Sequence, residues 1–206
     1  MEKQVSGDVA GIVLAAGASR RMGCNKLLLP FRGRPLLCAA LDAVTGGGAR
    51  PVICVLGRDS EAVRTALARE QWPSPVCWVV NPDAASGRAS SICVGLDSVP
   101  EACLAALFMP GDVPGVRARD VERVIARFRL TGAPVVVATE SDGNRSHPVL
   151  FARSLFPRLR HLRGDTGGQG IVRELWECAE KVARAGAPLF DVDTQDDYDR
   201  LHEVGS

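Results

Sequence analysis

Gly-Ile-Val-Leu-Ala-Ala-Gly-Ala-Ser-Arg-Arg-Met-Gly-Cys-Asn-Lys-Leu-Leu-Leu-Pro, from Gly11 to Pro30, is the stretch whose reading decides the fold. It opens within an apolar run from Val9 to Ala16 that has the length and composition of a buried parallel strand rather than of a helix. The run breaks at Gly17, and Gly17 and Gly23 bracket a loop in which Ala18 and Ser19 stay small while Arg20, Arg21 and Lys26 supply three cations. A strand feeding a small-residue loop with exposed backbone N–H groups and clustered cations is how α/β proteins hold phosphate.

The pattern continues outward from that loop as strand and helix in alternation. Pro35 is predicted in a first helical turn, with Leu36, Leu37, Ala40, Leu41 and Val44 at helical spacing until Gly46. Strands follow at Pro51–Gly57, Val76–Val80 and Cys103–Met109, with helices from about Asp59, after Ser91, and from Ala118 to Leu130. Ser90 or Ser91 is either the cap of its helix or part of a ligand-facing loop. Pro134–Thr139 and Ser146–Phe151, joined by the turn at Ser141–Asn144, read as an antiparallel excursion. Helices at Arg153–Leu159 and Ile171–Glu177, a strand at Lys181–Arg184 and a terminal helix capped by Thr194 complete the chain. The expectation is a Rossmann-like three-layer α/β/α sandwich, mostly parallel, with an antiparallel element in the C-terminal half. It would be a single domain over 1–206, with a nucleotide-binding part at about 8–115 and an acceptor-binding part at about 116–206.

Composition narrows the partners. With 25 Lys and Arg against 24 Asp and Glu, a net charge of +1 supplies no general attraction to nucleic acid or membrane, so phosphate binding must be local. The seven cysteines are dispersed, with no Cys-x-x-Cys and no His at zinc spacing, which points to a reducing compartment. The apolar runs fall short of the ~20 residues a membrane span needs, and the first eight residues are polar. A soluble cytoplasmic protein is expected.

The glycine spacing separates kinds of phosphate loop. Five residues stand between Gly17 and Gly23, and Lys26 is followed by Leu27, so a Walker A loop is excluded. Gly17-Ala18-Ser19-Arg20 also lacks the Gly-x-Gly-x-x-Gly of dinucleotide-dependent redox proteins. Asp112, between Pro110 and Pro114 directly after the most apolar strand, is a site candidate because ligands of open α/β sheets bind at the carboxyl ends of strands.

Leu14-Ala15-Ala16-Gly17-Ala18-Ser19-Arg20-Arg21-Met22-Gly23-Cys24-Asn25-Lys26 fills every fixed position of the nucleotidyltransferase signature Leu-Ala-Ala-Gly-x-Ser-x-Arg-Met-Gly-x-x-Lys. With Leu27 to Pro30, Gly33 and Pro35, it resembles the molybdenum cofactor cytidylyltransferase branch. Later segments follow that family's order: Asn81 with Ser86 to Ser91, Gly111-Asp112-Val113-Pro114, His147-Pro148, Arg163 to Gly167, and Asp191 to Tyr198. Two departures are Ser146, where the family usually has Gly, and Arg88, at a position often held by Met.

The resemblance implies transfer of CMP from CTP to molybdopterin with release of pyrophosphate. Alternatives are an NTP transferase for another phosphorylated acceptor, such as a sugar or polyol phosphate, and a non-catalytic nucleotide-binding partner in the maturation of a client molybdoenzyme. Leu14, Ala15, Ala16, Gly17, Ser19 and Gly23 would cradle the nucleotide, with Arg20 or Arg21 on its β/γ end and Lys26 near the α-phosphate. Asn81, Ser86, Gly87 and Ser90 would read base and ribose. Mg²⁺ would be held by Asp112 and by Asp193, with Asp191 as the competitor for the second place. His147 is an acceptor contact or a structural residue, and Asp165 a turn residue or an acceptor contact.

Overall fold

A computed structural model of the chain describes residues 7–17, 19, 22–186 and 189–204. Strand β1 (Val9–Ala15) leads through the loop that holds Gly17 and Gly23 to a hairpin of β2 (Pro30–Phe31) and β3 (Arg34–Pro35), then α1 (Leu37–Gly46). Next come β4 (Val52–Leu56), α2 (Ser60–Ala66), β5 (Val76–Val80), α3 (Arg88–Asp97), β6 (Ala105–Pro110) and α4 (Ala118–Thr131). The C-terminal part holds β7 (Val135–Thr139), β8 (Arg145–Ala152), α5 (Phe156–Arg160), α6 (Gln169–Glu174), β9 (Glu180–Ala183) and α7 (Gln195–Val204).

Seven strands form one sheet in the order β5-β4-β1-β6-β8-β7-β9, with only β8 antiparallel to its neighbours. The expected mostly parallel α/β architecture with one antiparallel element is therefore observed. The period of two along β1 divides its side chains between two helix layers. Val9, Val13 and Ala15 join Leu41 and Val44 of α1 and Val121, Val124 and Phe128 of α4 in one core. Ala10 and Ile12 join Ile92 and Leu96 of α3, Phe156 and Leu159 of α5, and Ile171 of α6 on the opposite face. Gly11 lets α1 approach, since a Cβ there would lie 2.3 Å from Val44 Cγ1. Among the described residues no helix is long and apolar enough to cross a membrane.

A small third core decides where the end of the chain goes. Phe31 and Leu36, at the β2–β3 hairpin, pack with Val192 and Leu201, and the Tyr198 hydroxyl donates to the Pro30 carbonyl at 2.6 Å. Thr194 caps α7 as expected: its hydroxyl accepts from Asp197 N at 3.2 Å while the Asp197 carboxylate accepts from Thr194 N at 2.8 Å, a reciprocal capping arrangement.

Some local expectations are corrected. Pro35 is not in a helical turn, because Arg32 (φ 50°) and Gly33 (φ 77°) form a tight turn that folds Pro30-Phe31 back on Arg34-Pro35. The helix starts only at Leu37. Ser90 and Ser91 do not cap α3, which begins at Arg88; the Ser90 hydroxyl instead donates back to the Gly87 carbonyl at 2.8 Å. The helix expected at Ile171–Glu177 begins at Gln169 and gives way to a 3₁₀ turn at Trp176–Cys178.

Candidate active site

Parallel pairing places the carboxyl ends of β4, β1 and β6 along one edge, so the segments after Leu56, Ala15 and Pro110 meet there. Antiparallel β8 contributes its beginning to the same edge. Its register on β6 pairs Ala105 with Ala152 and Phe108 with Val149, which, continued, sets His147 opposite Pro110 and close to Asp112. These segments surround a cleft of 840 Å³ lined by Leu14 to Gly17, Ser19, Lys26, Gly57, Arg58, Gly87, Arg88, Asp112, Arg145, His147, Asp165, Asp191 and Asp193.

Lys26 lies at its centre. It begins a 3₁₀ turn whose N-cap, Asn25, accepts from Leu27 N at 3.1 Å, and its own N–H donates to Ser19 Oγ at 3.2 Å. Ser19 itself has a left-handed backbone (φ 47°), which tightens the loop. The ammonium of Lys26, a residue only 7% exposed, reaches Asp112 Oδ2 at 2.5 Å and Asp193 Oδ1 at 2.7 Å. Burial alone would depress its pKa, but Asp112 and Asp193 outweigh burial and hold it above the usual lysine value. The ammonium is therefore charged at neutral pH. Asp193 arrives from the other end of the chain because the third core anchors its segment, and Val192 N donates to the Asp112 carbonyl at 3.1 Å. Burial, followed by the charges of Asp112 and Asp193, raises the pKa of neighbouring Asp191.

On the β8 side the cleft is cationic. His147 is pushed down to about 4 by burial and by Arg145 and Arg88, with Asp112 opposing, so its ring is neutral at pH 7. Its Nδ1 is buried and has no hydrogen-bond partner among the described residues. The loop carrying Asp165 docks on the start of α3, where Ala89 N donates to the Gly164 carbonyl at 3.0 Å. Only glycine suits position 87, with φ at 119° and an added Cβ 2.3 Å from the Gly164 carbonyl carbon.

Of the residues expected from sequence, Leu14, Ala15, Ala16, Gly17, Ser19, Lys26, Gly87, Asp112, His147, Asp165 and Asp193 line the cleft, whereas Gly23, Asn81, Ser86 and Ser90 do not. Asn81 is 2% exposed and its amide is used within the protein: Nδ2 donates to Ser90 Oγ (2.8 Å) and Ser91 Oγ (2.9 Å), and Oδ1 accepts from Asp83 N. Ser86 donates to the Asp83 carbonyl at 2.8 Å. These groups shape the entry to α3 instead of facing the cavity. Arg20 and Arg21 lie outside the described residues. Arg58 and Arg145 were missed; Arg58 lies two residues past the end of β4, as Asp112 lies two past the end of β6, the same strand-end signal that singled out Asp112.

The fit for a metal can be judged from the donor set. Asp112 and Asp193 already converge on one cationic atom, and two hard oxygens at an open cleft suit an ion that takes its remaining ligands from substrate oxygens and water. Among the described residues no three His, Cys, Asp or Glu side chains form a closed metal cage.

A model of the MobA-like NTP transferase domain matches residues 11–181. The chain belongs to this family. Its activity is thereby that of a nucleotidyltransferase, acting on a nucleoside triphosphate and a phosphorylated acceptor. Among solved structures, Rv0371c from Mycobacterium tuberculosis H37Rv superimposes with a TM-score of 0.84 at 33% identity, covering 97% of this chain and 100% of that one. The same protein in complex with manganese gives a TM-score of 0.79 at 33% identity over 95% of this chain and 98% of that one. Nicotine blue oxidoreductase of Paenarthrobacter nicotinovorans is 31% identical, with 94% of this chain and 96% of the relative aligned.

Proposed function

We propose that this protein transfers CMP from CTP to molybdopterin, releasing pyrophosphate, with Mg²⁺ or a similar divalent cation. The observation that carries the transfer reading is the buried Lys26 ammonium held between Asp112 and Asp193 at the floor of the cleft. In the reaction an acceptor phosphate oxygen forms a bond to the α-phosphorus while the α–β bridging bond breaks and pyrophosphate carries away the electron pair. Little covalent work falls to the protein, and much charge must be neutralised. Lys26 faces the α-phosphate, where charge changes most, and Ser19 sets its backbone. Arg20 or Arg21 takes the β/γ end. Asp112 and Asp193 would hold the cation, which when bound neutralises phosphate charge and orients the triphosphate; the manganese complex of the mycobacterial relative supports a divalent ion.

Arg145, Arg88 and the neutral His147 suit the anionic acceptor on the β8 side, with Asp165 on the loop across from them. For the base, Ala16 lines the cleft, and its Cβ would narrow the space beside the base, which favours a pyrimidine. The name of the P. nicotinovorans relative raises an oxidoreductase reading, against which stands the glycine spacing of the loop after β1. The test is pyrophosphate release from each of the four NTPs, with molybdopterin or sugar phosphates as acceptors. CTP with molybdopterin is expected to be fastest. Preference for GTP would overturn the base assignment, and no release with any pair would overturn the transfer reading for this chain.

A further inference from the structure

Behind the cleft lies a buried ion pair that the transfer chemistry does not itself use. Arg184 follows β9, and its side chain is 2% exposed. It donates to Glu140 Oε2 at 3.0 Å and Oε1 at 3.3 Å, and to the Gly115 carbonyl at 3.1 Å, with the Asp120 carboxylate 3.9 Å away. Glu140 in turn accepts the Ser146 hydroxyl and, at 3.4 Å, the Leu189 N–H.

These contacts reach three separate segments. Gly115 lies in the loop that carries Asp112, Ser146 immediately precedes His147, and Leu189 belongs to the irregular segment that leads to Asp191 and Asp193. Leu189 also packs on Gly115, where an added Cβ would sit 2.6 Å from Leu189 Cδ2. Such a buried pair is poor value as a stabiliser, since well-packed apolar replacements are often neutral or better. What an apolar pair lacks is direction: a guanidinium fork and a carboxylate fix the distance between the loops they bridge.

We infer that Glu140 and Arg184 are positioning residues: their ion pair sets the spacing at which Asp112 and Asp193 meet a common cation, and seats His147 beside them. This rests on the nucleotidyl-transfer reading above. It also accounts for Ser146, the departure from the family's usual glycine: its hydroxyl is engaged by Glu140, and the residue is 7% exposed and does not line the cleft.

The experiment measures Mn²⁺ binding by electron paramagnetic resonance in the presence of CTP, alongside pyrophosphate release, for the wild type, Glu140→Gln, Arg184→Lys and the double variant Glu140→Leu/Arg184→Met. Partners one step behind metal ligands typically alter affinity or activity about 10- to 100-fold. Glu140→Gln and Arg184→Lys should weaken Mn²⁺ binding and lower kcat by about tenfold or more, with KM for CTP little changed. The double variant should recover thermal stability without recovering Mn²⁺ affinity or kcat. Wild-type Mn²⁺ affinity in folded Glu140→Gln would overturn the inference, as would a double variant whose kcat returns together with its stability. Should the wild type release no pyrophosphate, the transfer reading fails, while Mn²⁺ binding still reports whether the pair sets Asp112 and Asp193.

Discussion

Replacing Lys26 by Met keeps the length of the side chain and removes the charge between Asp112 and Asp193. Both carboxylate oxygens lie within 2.7 Å of the ammonium, so they are no more than about 5 Å apart, and at an effective dielectric of about 20 their bare repulsion is about 3 kcal/mol. The Asp193 side chain is 35% exposed, and solvent screening reduces this to about 2 kcal/mol. For a chain of this size that corresponds to a fall in Tm of about 4–8 °C without divalent cations. The same two carboxylates, no longer neutralised by the ammonium, should bind Mn²⁺ more tightly, so added Mn²⁺ should raise the Tm of the variant more than that of the wild type. Catalysis should not follow. Loss of one preorganised cationic contact at the reacting phosphate costs about 3 kcal/mol of barrier, roughly 100-fold in kcat. The assays are thermal unfolding with and without Mn²⁺, and pyrophosphate release. Wild-type kcat in Lys26→Met, or a Mn²⁺ shift no larger than that of the wild type, would refute the assignment of this ammonium to both the transfer and the carboxylate pair.

Gly87→Ala should lower stability by about 3 kcal/mol, combining a left-handed backbone with a clash against the Gly164 carbonyl, and should raise KM for the acceptor as the loop carrying Asp165 is displaced; unchanged unfolding and KM would contradict that packing. Acidification should also destabilise the fold through His147. The unfolded chain takes up a proton near pH 6.5 and the folded ring only near 4, so this stability is lost as pH falls between those values, by about 3 kcal/mol in total. Urea unfolding of the wild type and His147→Gln at pH 7 and 4.5 checks this, and equal losses in both would refute it.

The parts of the site legible in the sequence are those written in local patterns. Lys26 belongs to a loop whose small residues and clustered cations mark it as a ligand-facing segment, and it does line the cleft; Asp112 follows a strand so apolar that its end had to be an edge of the sheet. Pro35 was misplaced because the tight turn at Arg32–Gly33 depends on backbone angles that the apolar spacing of Leu36, Leu37 and Leu41 conceals. Asn81 and Ser90 stood in the right order for ligand contacts, yet they bond to each other, since which way a polar side chain turns is decided by neighbours absent from its own segment. Arg145 and Glu140 were silent for a related reason: each flanks a turn between strands, where charged residues are ordinarily solvated.

The sequence by itself determined the strand-and-helix rhythm and singled out Lys26, Asp112 and Asp193, because burial period, glycine spacing and charge are properties of contiguous residues. Only the tertiary structure decided that Lys26, Asp112, His147 and Asp193 converge. Antiparallel β8 carries His147 to the edge where parallel β1 and β6 end, and the packing of Val192 and Leu201 on Phe31 and Leu36 returns the end of the chain to its beginning. Such convergence arises from pairing between distant segments, whose partners are selected by the folded core rather than by the residues alongside them.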